Sequence, residues 1–139
     1  MKLRISCVGK LKDRALVDWV EEYVKRSRRF FPIQIDWVRD MPALRARAAA
    51  PNVVLDERGR SLSTQGLADW LADHRDRGTR EVSFQIGDAH GFSQADRDGA
   101  DLVLALSSFT LPHRLAQVML VEQLYRAGTV VFGHPYHHE

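Results

Sequence analysis

Residues 106–139 read LSSFTLPHRLAQVMLVEQLYRAGTVVFGHPYHHE, and their order governs how the rest of the chain is understood. An apolar loop leads into a helix opened by Pro112, in which Leu115, Val118, Val121 and Leu124 recur at helical spacing. The β-branched and aromatic run at 130–132 predicts a short last strand. A tail then carries His134, Pro135, Tyr136, His137 and His138 in consecutive positions, where most small domains trail off in charged residues. It is the first place to look for function.

Working back from this stretch, the pattern alternates between two periods. Residues 101–105 predict a strand, residues 94–98 a short polar helix, and 82–86 a strand running straight into Gly87. Before it, Ser63 caps a helix whose apolar face holds Leu67, Trp70, Leu71 and His74 and which Gly78 ends. Residues 52–55 predict a brief buried strand stopped by Asp56, Glu57, Arg58 and Gly59. Residues 39–51, rich in Arg and Ala with Pro42 and Pro51, predict a short helix or loop. Residues 33–38 and 2–8 predict two more strands. Between them Leu16, Trp19, Val20, Tyr23 and Val24 mark an amphipathic helix. Strands alternating with helices predict an α/β fold with a mainly parallel sheet and helices on both faces. One domain over residues 1–139 is expected.

Composition narrows the class. The 139 residues are 45% hydrophobic and 27% charged, as in soluble globular proteins. No apolar run approaches the ~20 residues that span a bilayer, and the first residues alternate like a strand rather than a signal peptide. No membrane partner is expected, and the lone Cys7 leaves no internal disulfide, so a reducing, cytoplasmic setting is expected. A formal net charge of +2 leaves room for a local nucleic-acid patch but not for general RNA coating.

In an open α/β sheet ligands bind beyond the carboxyl ends of the strands. Three such ends carry suggestive loops: Leu55 before Asp56, Ile86 before the run Gly87-Asp88-Ala89-His90-Gly91, and Ala105 before residues 106–111. None has the GxGxxG or GxxxxGK[ST] pattern that cradles phosphates, which argues against dinucleotides and nucleoside triphosphates. Gly87 and Gly91 either let a ligand approach the backbone or simply make a turn. His134, His137 and His138 invite a metal, but Pro135 opposes the helix that their spacing would need, and no metal is expected. Ser107 and Ser108 lack a nucleophile-elbow context, and Cys7 has no partner in sequence. The basic run Lys25, Arg26, Arg28 and Arg29 reads as a solvated helix end or as a phosphate contact.

With these residues laid out, the whole chain resembles the RlmH family of ribosomal RNA large-subunit methyltransferases, in the SPOUT superfamily. The resemblance rests on MKL-x4-VG at the start, Val54-Leu55-Asp56, Ile86-Gly87, residues 106–111 leading into Pro112-His113, Leu124-Tyr125-Arg126-Ala127, and His134-Pro135-Tyr136-His137. It implies a C-terminal trefoil knot, a homodimer and bound S-adenosyl-L-methionine. The implied reaction is N3-methylation of a pseudouridine in 23S rRNA on the assembled ribosome. Family cofactor contacts carry over to Leu55, Gly87, Leu106, Ser107, Ser108, Phe109, Thr110 and Leu111. His134, Tyr136 and His137, with His113 behind them, are the candidates for positioning the acceptor or handling its proton. Arg114, Arg126 and His138 are the candidate RNA contacts, although Arg126 can equally pair with Glu122 one turn earlier. The chain departs from the family where Gly87-Asp88-Ala89-His90-Gly91 replaces Gly-Gly-Pro-Glu-Gly, and where His138 replaces arginine. These departures motivate an alternative: a SPOUT homologue that binds cofactor or ribosome with methyl transfer lost or redirected.

Overall fold

The computed structural model describes residues 1–138. Five strands, β1 (Lys2–Val8), β2 (Ile33–Val38), β3 (Asn52–Ser61), β4 (Glu81–Ile86) and β5 (Leu102–Ala105), form one sheet in the order β2-β1-β4-β3-β5. Every pairing is parallel. The connections are α1 (Arg14–Ser27), α2 (Met41–Arg45), α3 (Thr64–Asp76) and α4 (Gln94–Asp98), and α5 (His113–Val131) follows β5. A parallel ladder needs such crossovers, because a tight turn cannot return the chain to the same end of the sheet.

Alternation along β1 sorts the two faces. Leu3, Ile5 and Cys7 face the main core, built with Val20 and Tyr23 of α1, Leu67 and Leu71 of α3, and Leu120, Val121 and Leu124 of α5. Val8 faces a smaller core with Met41 and Leu44 of α2, Val54 and Phe92. Helices therefore lie on both faces, three long ones on one side and the short α2 on the other. Side-chain caps start most of them: Asp13, Asp40, Ser63 and Ser93 each accept a backbone N–H of the first turn.

Two local expectations fail. The strand expected at 130–132 is the end of α5. Thr129 is buried and its Oγ1 donates to the Arg126 carbonyl, while Gly128 packs so closely on Phe30 that a Cβ there would sit 3.1 Å from its Cβ. Packing against Phe30, just after α1, thus outweighs the β-propensity of Val130 and Val131. The helix stops two residues later, where Gly133 adopts φ 72° and the His134 N–H reaches back to the Thr129 carbonyl at 2.8 Å. The strand expected to end at Leu55 instead continues to Ser61. It leaves the ladder after Leu55 pairs with Leu104 and rejoins it where Arg60 meets the same Leu104. Charged residues are tolerated because this excursion lies at the rim, and Gly59 permits it: a Cβ there would lie 2.5 Å from the Val103 carbonyl oxygen.

Candidate active site

The carboxyl ends of β3, β4 and β5 surround a cleft of about 490 Å³, within the usual range for small-molecule sites. Each strand end contributes differently. The β3 excursion supplies Asp56, Glu57 and Arg58, the loop after β4 supplies residues 87–92, and the loop after β5 supplies Leu106, Ser107, Phe109, Thr110 and Leu111. Leu55, Ile86 and Leu104 complete an apolar wall, and His113 and Ala116 of α5 close one side. Of the residues expected at a cofactor site, Ser108 alone is outside the lining, and it is exposed.

Local bonds set the loops. Asp88 Oδ1 accepts from the His90 N–H at 3.0 Å, and the Gly91 N–H donates to the Asp88 carbonyl at 3.0 Å. This Asx turn closes the Gly87–Gly91 run tightly without a proline, and Gly91 takes the positive φ of 73° that the turn requires. Gly87 serves packing instead, since a Cβ there would meet Phe92 at 3.3 Å and Met41 at 3.4 Å. Ser107 Oγ accepts from the Phe109 N–H at 2.9 Å, which engages that hydroxyl in shaping the loop. Thr110 Oγ1 donates to Glu57 Oε2 at 3.1 Å, linking the β3 and β5 rims.

Behind the cleft sits an arginine that its sequence context does not single out. Arg97 Nη1 donates to Asp56 Oδ2 at 3.1 Å and to the Phe92 carbonyl at 2.7 Å, while Nη2 reaches Gln94 Oε1 at 3.1 Å. The Arg97 and Asp56 side chains are 13% and 8% exposed. One guanidinium therefore ties the β3 excursion to the loop after β4. Its helix, α4, is held in turn to α2 by Arg45, which grips Asp96 with two bonds of 2.9 and 3.0 Å. The Arg45 bonds, with those from Ser93, pull the Asp96 carboxyl down to about 2.

The tail lies elsewhere. Tyr136 OH donates to Glu122 Oε1 at 3.1 Å, its ring stacks edge-on against Tyr125, and the Arg126 guanidinium covers it at 4.8 Å. Arg126 also grips Glu122 at 2.7 and 2.9 Å and lies 3.3 Å from His137 Nδ1. A guanidinium only donates, so His137 Nδ1 accepts and Nε2 carries the proton. His134 packs edge-on against Phe30, and its buried Nδ1 has no partner. At ~1.5 Å per residue, Glu122 and Arg126 stand roughly 9 and 15 Å along α5 from Ala116 at the cleft. Within one chain, His113 alone of the four catalytic candidates lines the cleft. Arg114 and His138 are exposed, and Arg114 lies 3.9 Å from Asp13.

Chemical states sharpen these roles. Burial, with a bond to Tyr23 and the charge of Glu122, pushes the Tyr136 hydroxyl well up, so it stays protonated and serves as a donor at neutral pH. Burial pushes the Cys7 thiol up to about 12, which removes it as a nucleophile. Among the described residues no three His, Cys, Asp or Glu side chains form a metal-binding group, and no helix is long and apolar enough to cross a membrane.

Comparison with known proteins adds a family. Residues 1–137 match the family described as predicted SPOUT methyltransferase. The chain is similar to a ribosomal RNA large subunit methyltransferase H from Cereibacter sphaeroides, 42% identical over 154 residues and covering 99% of both chains. It is also similar to proteins of that name from Koribacter versatilis, 38% identical over 99% of this chain and 98% of the relative, and from Geobacter sp. strain M21, 36% identical over all of both.

Proposed function

The chain belongs to the SPOUT methyltransferase family, and on that premise we propose that it methylates N3 of a pseudouridine in 23S rRNA. S-adenosyl-L-methionine is the donor, and the substrate is the assembled ribosome. The cleft at the ends of β3, β4 and β5 carries this reading. It has apolar walls at Leu55, Leu106 and Leu111, loop backbone at its rim, and one buried polar atom without a partner, His113 Nε2. Those features suit a ligand that joins an aromatic base and a thioether to polar groups.

When bound, the cofactor supplies an activated methyl group, so this chain has two tasks. The first is alignment of the acceptor nitrogen, worth up to ~7–11 kcal/mol when the reactants are held in line. The loop of residues 106–111 is suited to it, being braced by Ser107 and by Thr110 on Glu57. The second is acceptance of the N3 proton, for which a placed base gives roughly 10²–10⁴-fold. A protonated Tyr136 hydroxyl is a positioning group and Arg126 occupies His137 Nδ1, which leaves His113 and His134 for proton handling.

We further read the protein as a homodimer. Leu16, Trp19, Val118 and Met119 line an apolar groove between α1 and α5, and Trp19 is 53% exposed. A second copy packing the same groove across a two-fold axis would bring its histidine tail toward the cleft and complete the site. The decisive experiment is transfer of labelled methyl from S-adenosyl-L-methionine to ribosomes lacking the modification, with Trp19→Asp as a parallel sample. The proposal expects transfer by the native dimer and its loss in a monomeric Trp19→Asp that still binds cofactor. Saturable cofactor binding with no transfer to any ribosomal particle would overturn it.

A further inference from the structure

The sheet face that carries α2 is apolar only toward its carboxyl end, where Val8, Leu44 and Val54 pack with Phe92. Toward the amino end the same face is polar. Strand pairing sets Gln34, Arg4, Ser83 and Asn52 in one row, and Asp36, Ser6 and Gln85 in the next. Ser6, Ser83, Asn52 and Gln85 are all buried. Ser6 Oγ, Ser83 Oγ and Asn52 Oδ1 have no hydrogen-bond partner. Each buried polar group left unpaired costs roughly 1–3 kcal/mol, and Ser83 brings one such group into the floor of a cavity.

A cavity of about 400 Å³ lies at this end of the sheet, between residues 47–51 and the start of β4. Arg4, Arg47, Arg80, Glu81 and Ser83 are in its lining. Asp36 Oδ2 accepts from Arg4 Nη1 at 3.3 Å and from Arg47 Nη1 at 3.2 Å, and Glu81 Oε1 accepts from Arg4 Nε at 2.9 Å. A guanidinium has five N–H donors, so these carboxylates orient Arg4 and Arg47 without saturating them. Three guanidiniums set against Asp36 and Glu81 leave one positive charge in excess. Planar forks held at fixed angles beside the buried Ser83 hydroxyl suit a tetrahedral oxyanion.

We propose that this cavity binds one phosphate group, at the end of the sheet opposite the cofactor cleft. The phosphate comes either from an RNA backbone, which would extend the docking surface of the proposed reaction, or from a free phosphate ester. In both cases the same arginines recognise it.

The test titrates inorganic phosphate into the purified protein while following the Arg side-chain Nε–H signals and the Ser83 amide by NMR. Wild type, Arg47→Ala, Arg80→Ala and the double variant are compared. Both residues are exposed, and unchanged cofactor titrations in all four would show that the fold persists. Saturable shifts are expected in wild type, with affinity weakened about tenfold by each single change and saturation lost in the double variant. No saturable shift in wild type, or equal shifts in the double variant, would overturn the proposal and leave ordered water over the floor. Ribosome methylation then separates the sources. A raised KM with unchanged kcat in the double variant assigns the phosphate to RNA, whereas an unchanged KM with phosphate binding lost assigns a free ester. The phosphate titration needs neither cofactor nor ribosome, so it stands apart from the proposed methyl transfer.

Discussion

Replacing Arg97 with alanine removes a side chain that binds the β3 excursion and the loop after β4 together. Its guanidinium pairs with an Asp56 carboxylate that is 8% exposed and also donates to the Phe92 carbonyl at 2.7 Å. Removing one partner of a buried pair costs about 3–5 kcal/mol, because the other charge is left desolvated. An exposed pair is worth only about 0–1 kcal/mol. Asp56 Oδ1 keeps its bond from the Arg58 N–H at 2.8 Å, which favours the low end, about 3 kcal/mol. For a chain of this size that is a fall in Tm of roughly 12 °C. Urea and thermal unfolding of wild type, Arg97→Ala, Asp56→Asn and the double variant measure it. The double variant should lose less than the sum of the singles, since no unpaired charge remains. Cofactor affinity should also drop about tenfold as the loop loses its anchor at Phe92. A loss below about 1 kcal/mol, or strict additivity, would refute the reasoning, for the pair would then behave as a surface pair.

Other perturbations separate shape from charge. Asp96 has a carboxyl held at about 2 in the folded protein, below its ordinary 3.8, so its stabilisation is present above pH ~4 and lost as pH falls toward 2. Arg45 is 46% exposed, which reduces the contribution to about 1 kcal/mol; stability curves of wild type and Asp96→Asn should differ by that at pH 7 and converge in acid. Gly59→Ala forces a Cβ to within 2.5 Å of the Val103 carbonyl; chemical denaturation should show a loss of about 1–3 kcal/mol, with weaker cofactor binding by calorimetry. Tyr136→Phe loses one hydrogen bond, about 1 kcal/mol. Because burial keeps that hydroxyl protonated, the alkaline limb of the rate profile should not move, and a shifted limb would identify Tyr136 as a proton acceptor.

Much of the fold was legible because its signals are local. The apolar spacing of α1, the cap at Ser63, the turn at Gly78 and the strand running into Gly87 each depend on neighbours within a few residues. Where the reading failed, distant contacts decided. Val130 and Val131 favour a strand by themselves but continue a helix because Gly128 packs on Phe30 and Phe31, just beyond α1, and Thr129 is buried. Asp56, Glu57 and Arg58 resemble strand terminators, yet they form an excursion of β3 away from β5 that shapes the cleft. Arg97 lies in a polar segment with no motif, and its importance arises only when Asp56, 41 positions away, is brought beside it.

By itself the sequence determined the class of the protein. Period and punctuation set a parallel α/β sheet, and the runs at 54–56, 86–87, 106–113 and 134–137 pointed to the methyltransferase family that matches residues 1–137. Tertiary structure alone decided how those runs are grouped. It gathered three strand ends into one cleft and held the histidine tail roughly 9–15 Å away along α5. It also brought Arg4 of β1 and Ser83 of β4 together with Arg47 and Arg80 from the connections in a second, arginine-lined cavity. The physical reason is common to all three. Periodicity records which face of an element is buried, but strand order and register choose which buried faces meet, and they depend on pairings between residues far apart in the chain.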